Sequence, residues 1–190
     1  MYDTLLRRLH QLIPLNVQQQ KQLCRYVEIE NLPKECSLLE AGKISSHIYF
    51  VDAGVIRSYC TINEQEITRW FCFPEHFATA YLSFVYRQPS EDTMVTVTDT
   101  RLLSISHSNL NYLAQIDTIW IDLNRQLLEQ YYTSLMRRVL SFQTQSAAER
   151  YKSLLAEHPD ITDQVPLGQL ASYLGMTQAT LSRLRSRQKG

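Results

Sequence analysis

Apolar residues recur along the chain with two different periods, and the change of period divides it. In "TLLRRLHQLIPL", Leu5, Leu6, Leu9, Leu12 and Ile13 keep three- and four-residue spacing, which predicts a helix. Pro14 interrupts it. Asn16 then offers an N-cap for a second short helix in "NVQQQKQLCRYVEIENL". From about residue 36, "CSLLEAGKISSHIYFVDAGVIRSYCTINEQEITRWFCF" is rich in β-branched and aromatic residues. Gly42, Gly54 and the polar "INEQE" punctuate it, as turns between short antiparallel strands do. "TMVTVTDTRLLSIS" sets Met94, Thr96 and Thr98 against Val95 and Val97, with a turn at Asp99-Thr100. So many short strands predict a sandwich, barrel or jelly roll. "SNLNYLAQI" follows as a short helix capped by Ser106 or Ser108.

The longest periodic segment runs from Thr118 to about Thr144. Ile119, Trp120, Leu123, Leu127, Tyr131, Leu135, Val139 and Phe142 form one apolar stripe, and Asp122, Arg125, Glu129, Arg137 and Arg138 occupy the other faces. Such a stripe serves either packing on its own domain or a seam between two copies. "AAERYKSLLAEHPDI" is a further helix ending before Pro159.

Composition narrows the function classes. Hydrophobic residues make up 44% of the 190, enough for a packed core, and formal net charge is zero, so any nucleic-acid affinity needs a local patch. "MYDTLLRRLHQLIPL" lacks the apolar run of a secretion signal and no stretch is long enough to span a membrane, so a cytoplasmic protein without membrane partners is expected. Cys24, Cys36, Cys60 and Cys72 stand apart, without C-x-x-C, which predicts free thiols and no metal or cluster site. No nucleotide-loop, nucleophile-elbow or H-E-x-x-H motif is present, and we expect no enzyme.

"VPLGQLASYLGMTQATLSRLRSR" supplies the local patch. It splits into one helix from about Pro166 to Leu174 and a second from Gln178 onward. Gly175 ends the first in the left-handed conformation and Thr177 caps the second. A steep crossing needs a small residue, Ala171, and an apolar anchor, Leu181, beside Leu170, Leu174 and Leu184. The outer face carries Gln178, Ala179, Ser182, Arg183 and Arg185. Gln pairs with adenine and Arg with guanine, while Thr177, Thr180 and Ser182 suit phosphates. The last ten residues hold Arg183, Arg185, Arg187 and Lys189 and no acid. Spacing, cap, glycine and one-sided charge together indicate a helix-turn-helix that reads DNA rather than a solvated hairpin.

In this order of parts the chain resembles the Crp/Fnr family of transcription regulators over nearly its whole length. "LLEAGKISSHIYFVDAGVIRSY" is similar to the family's early strands and "QLASYLGMTQATLSRL" to its helix-turn-helix. The resemblance implies an α+β chain in three parts. Residues 1–117 would be a cyclic-nucleotide-binding-like β jelly roll, 118–144 a dimerisation helix with its seam on Trp120, Leu123, Leu127, Tyr131 and Leu135, and 145–190 a DNA-binding domain. It implies a homodimer on an inverted repeat of double-stranded DNA, with RNA polymerase as a further partner and Gln178, Ala179 and Arg183 reading bases. Ala179 stands where the best-known members carry an acid, so a different target is expected. Few residues follow the second helix, so the family's β-hairpin wing is expected to be short or missing.

Members that bind cyclic AMP carry a Gly-Glu pair and, some ten residues later, Arg-Ser. Here Thr79-Ala80 and Ser90-Glu91 fall near those positions, and Arg87 is out of register. Glu91 would repel a phosphate. Control by cyclic AMP is therefore not expected, and no cofactor is predicted. Phe77, Tyr81, Phe84, Arg87, Ser90, Glu91 and Met94 are the candidate lining for an unidentified effector. The alternative function is a ligand-sensing or interaction module with weakened DNA binding.

Overall fold

The computed structural model describes residues 1–188, with side chains through Ser186; Lys189, and with it the end of the basic tail, lies outside the described residues. Two helices, α1 (Asp3–His10) and α2 (Val17–Cys24), lead into the strands. Asn16 caps α2 in a full capping box: it accepts from Gln19 N–H at 2.9 Å while the Gln19 side chain accepts from its backbone. The strands are β1 (Val27–Leu32), β2 (Ser37–Leu39), β3 (His47–Ala53), β4 (Ile56–Ile62), β5 (Gln65–Cys72), β6 (Phe77–Ala78), β7 (Thr93–Thr96) and β8 (Thr100–Ser106). A short α3 (Tyr81–Tyr86) lies between β6 and β7. Then come α4 (His107–Ile116), α5 (Ile119–Thr144), α6 (Ala147–Glu157), α7 (Ile161–Gln164), α8 (Leu167–Leu174) and α9 (Gln178–Gln188).

The strands form two antiparallel sheets, ordered β1-β8-β3-β6 and β2-β7-β4-β5. Their alternation sorts side chains into three layers. Tyr49, Val51 and Leu102 of the first sheet meet Leu39, Ile56, Cys72 and Met94 of the second between the sheets. Phe50 and Leu103, one residue out of phase, point to the other face, where α1, α2, α4 and the start of α5 cover them. The second sheet is covered from outside as well. Phe71 of β5, with Val55, Phe73 and Val97, shares a core with Tyr151, Leu154, Ile161, Leu170, Leu174 and Leu181 of the C-terminal helices. One apolar core thus joins the sandwich to α6–α9.

β5 is an edge strand, whose outward N–H and C=O groups need partners. α8 supplies one. The Ser172 hydroxyl accepts from Thr68 N–H at 2.9 Å and donates to Glu66 O at 3.3 Å, bridging the free edge. Arg57, almost fully buried, fixes the same two residues from the sheet side: Nε donates to Thr68 Oγ1 at 2.9 Å and Nη1 pairs with Glu66 Oε2 at 2.6 Å. Tyr173 then packs edge-on against Phe71, with ring centroids 5.1 Å apart.

The 26-residue α5 starts in the N-terminal core and leaves it. Trp120 and Leu123 are 0% and 4% exposed among α1, α4 and β-sheet residues. This corrects the expected seam: these two side chains are committed to their own domain and cannot face a second copy. The accessible apolar residues of α5 are Ile121, Leu128, Tyr131, Tyr132, Leu135, Met136, Val139, Leu140 and Phe142, so Tyr131 and Leu135 of the expected seam remain open. Among the described residues no helix is long and apolar enough to cross a membrane.

Candidate ligand cavity and candidate nucleic-acid interface

A cavity of about 720 Å³ lies between the second sheet, α3, α5 and the end of α8. That volume is in the range of small-molecule sites. Tyr81 of α3 and Tyr131 of α5 stack across it, with centroids 5.2 Å apart and planes at 17°, and Trp70 of β5 closes on Tyr131 at 6.4 Å. Burial raises the pKa of both tyrosines, so they remain neutral hydroxyls.

A β-bulge sets the polar end. Ser58 pairs with Trp70 and Tyr59 with Thr68, so Arg69 is the extra residue and its side chain is re-aimed. Its Nη1 lies 3.0 Å from Asp92 Oδ1 and 3.6 Å from Glu91 Oε2, and Ser58 Oγ donates to Asp92 Oδ2 at 3.2 Å. Ser90 Oγ closes the loop beneath them, accepting from Asp92 N–H and donating to Asp92 O, each at 3.0 Å.

Of the expected lining, Phe77, Tyr81, Ser90, Glu91 and Met94 border the cavity. Phe84 and Arg87 do not. Phe84 lies on the opposite side of α3, buried against Ile48 and Leu110. Arg87 ends α3 with φ 54° and donates to Ser45 O at 2.6 Å and Phe84 O at 3.2 Å, so its charge caps backbone carbonyls. Leu127, Tyr131 and Leu135, expected on a seam, also line the cavity.

Arg138, expected on an outer face of α5, lies on its cavity-lining face with Tyr131, Leu135 and Phe142. The steps of four, three and four residues were its sequence signal. Its guanidinium sits 3.9 Å from the Tyr173 ring centroid and 5.0 Å from that of Phe142, and Nη2 donates to Tyr173 O at 2.9 Å. Burial lowers its pKa. Arg150 approaches Phe142 at 4.6 Å and donates to Leu174 O and Gln145 O.

At the C-terminal end, Gly175 turns the chain after α8 with φ 65°, and Met176 N–H returns to Ala171 O at 3.0 Å. Thr177 Oγ1 accepts from Thr180 N–H at 3.2 Å and so caps α9. Leu170, Ala171, Leu174 and Leu181 are buried between the two helices and α6, while Gln178, Ala179, Ser182 and Arg183 face outward and Thr180 is half-buried. Arg185 departs from the expected outer face. It lies four residues after Leu181, half-buried on the inward side, where its charge lowers the pKa that burial raises at Tyr151.

Residues 29–117 match the family model described as the cyclic nucleotide-binding domain. No curated protein matches the chain. A protein from Eubacterium rectale, described as a transcriptional regulator of the Crp/Fnr family, is 19% identical with TM-score 0.72, over 94% of this chain and 88% of that one. FixK2 from Bradyrhizobium japonicum is 19% identical with TM-score 0.70, over 85% and 83%. The Thermus thermophilus catabolite activator protein is 21% identical with TM-score 0.56, over 92% and 84%. At these identities the likeness establishes the fold.

The family model implies a cyclic nucleotide, and the residues at the family's phosphate segment do not fit one. A cyclic phosphate needs a free cation at the polar end. Arg69 there is taken up by two carboxylates and Arg87 lies off the cavity. Residues 29–117 form a domain of the cyclic nucleotide-binding type, set in a chain whose structural neighbours over most of its length are Crp/Fnr transcriptional regulators.

Proposed function

We propose that the chain is a homodimeric DNA-binding regulator of Crp/Fnr type, reading an inverted repeat through a helix-turn-helix of α8 and α9, with an effector other than cyclic AMP. The observation that carries this reading is the α8–α9 geometry. A buried Ala171 at the crossing, a left-handed Gly175, a Thr177 cap and a buried Leu181 leave Gln178, Ala179, Ser182 and Arg183 as the free face of the second helix. In this reading Gln178 and Arg183 contact base edges, and Thr177, Thr180 and Ser182 contact phosphates. The Gln178 side chain lies against Gly168, where an added Cβ would come within 3.2 Å of its Oε1. The first helix therefore steadies it at the start of the second. Arg185, on the inward side, supports the helix rather than reading bases.

Dimerisation would use Leu128, Tyr132, Leu135, Met136, Val139 and Leu140, which keep three- and four-residue spacing and lie open on α5.

Fluorescence anisotropy against a randomised inverted-repeat library, repeated across a salt series, tests the reading. Expected are selection of a two-fold-symmetric site, a steep loss of affinity with salt, and a loss of about 1–3 kcal/mol with relaxed selectivity for Arg183→Met. Absence of any selected sequence at low salt, with and without small-molecule extracts, would sink it and leave the sensing-module alternative.

A further inference from the structure

The cavity is electrically lopsided, in the opposite sense to a phosphate site. At its β-sheet end two carboxylates, Glu91 and Asp92, share the single guanidinium of Arg69. At its α5–α8 end stands Arg138, which forms no ion pair among the described residues. Its guanidinium makes one described hydrogen bond, to Tyr173 O. Arg150, beyond Phe142, is also without an ion pair there and donates to backbone carbonyls. Two positive charges therefore flank Phe142 with no negative partner among the described residues. A partly buried guanidinium with unused donors is a strong anion-binding group, because water has been removed and no carboxylate replaces it. Between the two ends the walls are Trp70, Tyr81, Tyr131 and Leu127, which suit a flat apolar body.

We infer that the cavity takes an aromatic organic acid, its carboxylate on Arg138 and its ring among Tyr131, Tyr81 and Trp70. The anion then faces α5 and α8 rather than the segment where the family's phosphate lies. This inference rests on the reading of the cavity as an effector site. The carboxylate would bond the donors of Arg138 that Tyr173 leaves free, and the Glu91–Asp92 end would repel a second acidic group.

Calorimetric titration of the full chain, without DNA, compares benzoate, phenylacetate and 2-naphthoate with 2-naphthylmethylammonium and cyclic AMP. At least one carboxylate should bind, and the ammonium compound and cyclic AMP at least tenfold more weakly. Arg138→Met should weaken the carboxylate about tenfold or more, Arg138→Lys should recover part of that, and Arg69→Met should leave it within about twofold. Thermal unfolding of the unliganded variants shows whether Arg138→Met still folds. Should it fail to fold, the Lys variant and the charge series decide. Binding of the ammonium compound as tightly as the acids, no binding of any acid, or indifference to Arg138 overturns the inference. Because no DNA is present, a failure here alongside intact inverted-repeat binding rejects the ligand class alone. Acid binding without DNA binding rejects the regulator and keeps the site.

Discussion

Gly175→Ala puts a number on the junction between cavity and helix pair. Gly175 has φ 65°, a conformation that costs an alanine about 1–2 kcal/mol. A Cβ there would also fall 2.6 Å from Phe142 Cε1 and 3.5 Å from Cδ1 and Cζ. Carbon atoms settle at roughly 3.5–4.0 Å, so the ring must retreat by about 1 Å. Phe142 is 41% exposed and has room to move outward. What it loses is its place beside Arg138 and Arg150, about 0.5–1 kcal/mol for each contact. The expected total is about 2–4 kcal/mol. Gly42→Ala isolates the backbone part, because Gly42 has φ 85° and nothing within 4 Å of an added Cβ, so it should cost about 1–2 kcal/mol. Urea unfolding measures both. The two tryptophans, Trp70 at the cavity and Trp120 in the N-terminal core, report on separate parts of the chain. Replacing Phe142 by Leu should recover the difference between the two glycine variants in a double-mutant cycle. Equal costs for Gly175→Ala and Gly42→Ala, within about 0.5 kcal/mol by the same urea extrapolation, would refute the packing of Phe142 on this turn.

Two further expectations concern α5. Leu128→Lys combined with Leu140→Lys should give folded monomers by sedimentation, whereas Leu123→Lys should cost more than about 4 kcal/mol, because it buries an unpaired charge in the core. A dimer that survives the double change, or a stably folded Leu123→Lys, removes the exposed face as the seam. At the start of α5, Asp117 accepts from Gln19 Nε2 at 2.7 Å and from Ile119 N–H at 3.1 Å, and these bonds, Gln19 first, hold its pKa below the ordinary aspartate value. Its contribution is therefore complete above the unfolded pKa and vanishes as pH falls through the lower folded value. The stability gap between wild type and Asp117→Asn should be constant near neutrality and close below about pH 4 in urea titrations. A gap that persists unchanged at pH 2 would contradict this.

Local chemistry was legible in the sequence and distant chemistry was not. The caps Asn16 and Thr177 were readable because a cap satisfies N–H groups two or three residues away. Ser106, one of two candidates for α4, proves to be the acceptor for Asn109 N–H. The β4–β5 turn was likewise readable, although its residues Asn63 and Glu64 both adopt positive φ without glycine. The long helix had the right extent, but its stripe had two destinations. Periodicity records that a face is apolar, not what covers it, so Trp120 and Tyr131 looked equivalent. Phe84 and Arg87 sit in a six-residue helix, too short for its pattern to say which side meets the cavity. About a quarter of the cavity lining comes from α5 and the end of α8, roughly thirty to a hundred residues from the phosphate-cassette segment, and no local pattern links them. The docking of α8 on β5 is equally invisible from sequence: a serine bridging an edge strand has no signature of its own.

These long-range contacts give the cavity a physical route to α9, the helix proposed to read DNA. Ser172 and Gly175 border the cavity and also end α8, two residues before the Thr177 cap of α9. A guanidinium has five N–H donors, and that of Arg138 makes one described bond, to the Tyr173 carbonyl. An anion taken by its remaining donors must either hold that guanidinium in place or draw it off Tyr173. In the first case the ligand tightens α8 on β5, and in the second it loosens the Tyr173–Phe71 contact. Either way the ligand's affinity differs between docked and undocked α8, and if α9 binds DNA as proposed, linkage requires DNA to feel the same free energy in return. A ligand at the opposite, carboxylate-lined end would touch neither Arg138 nor α8. The position of the charge, rather than the volume of the cavity, therefore decides whether an occupant is communicated to α9.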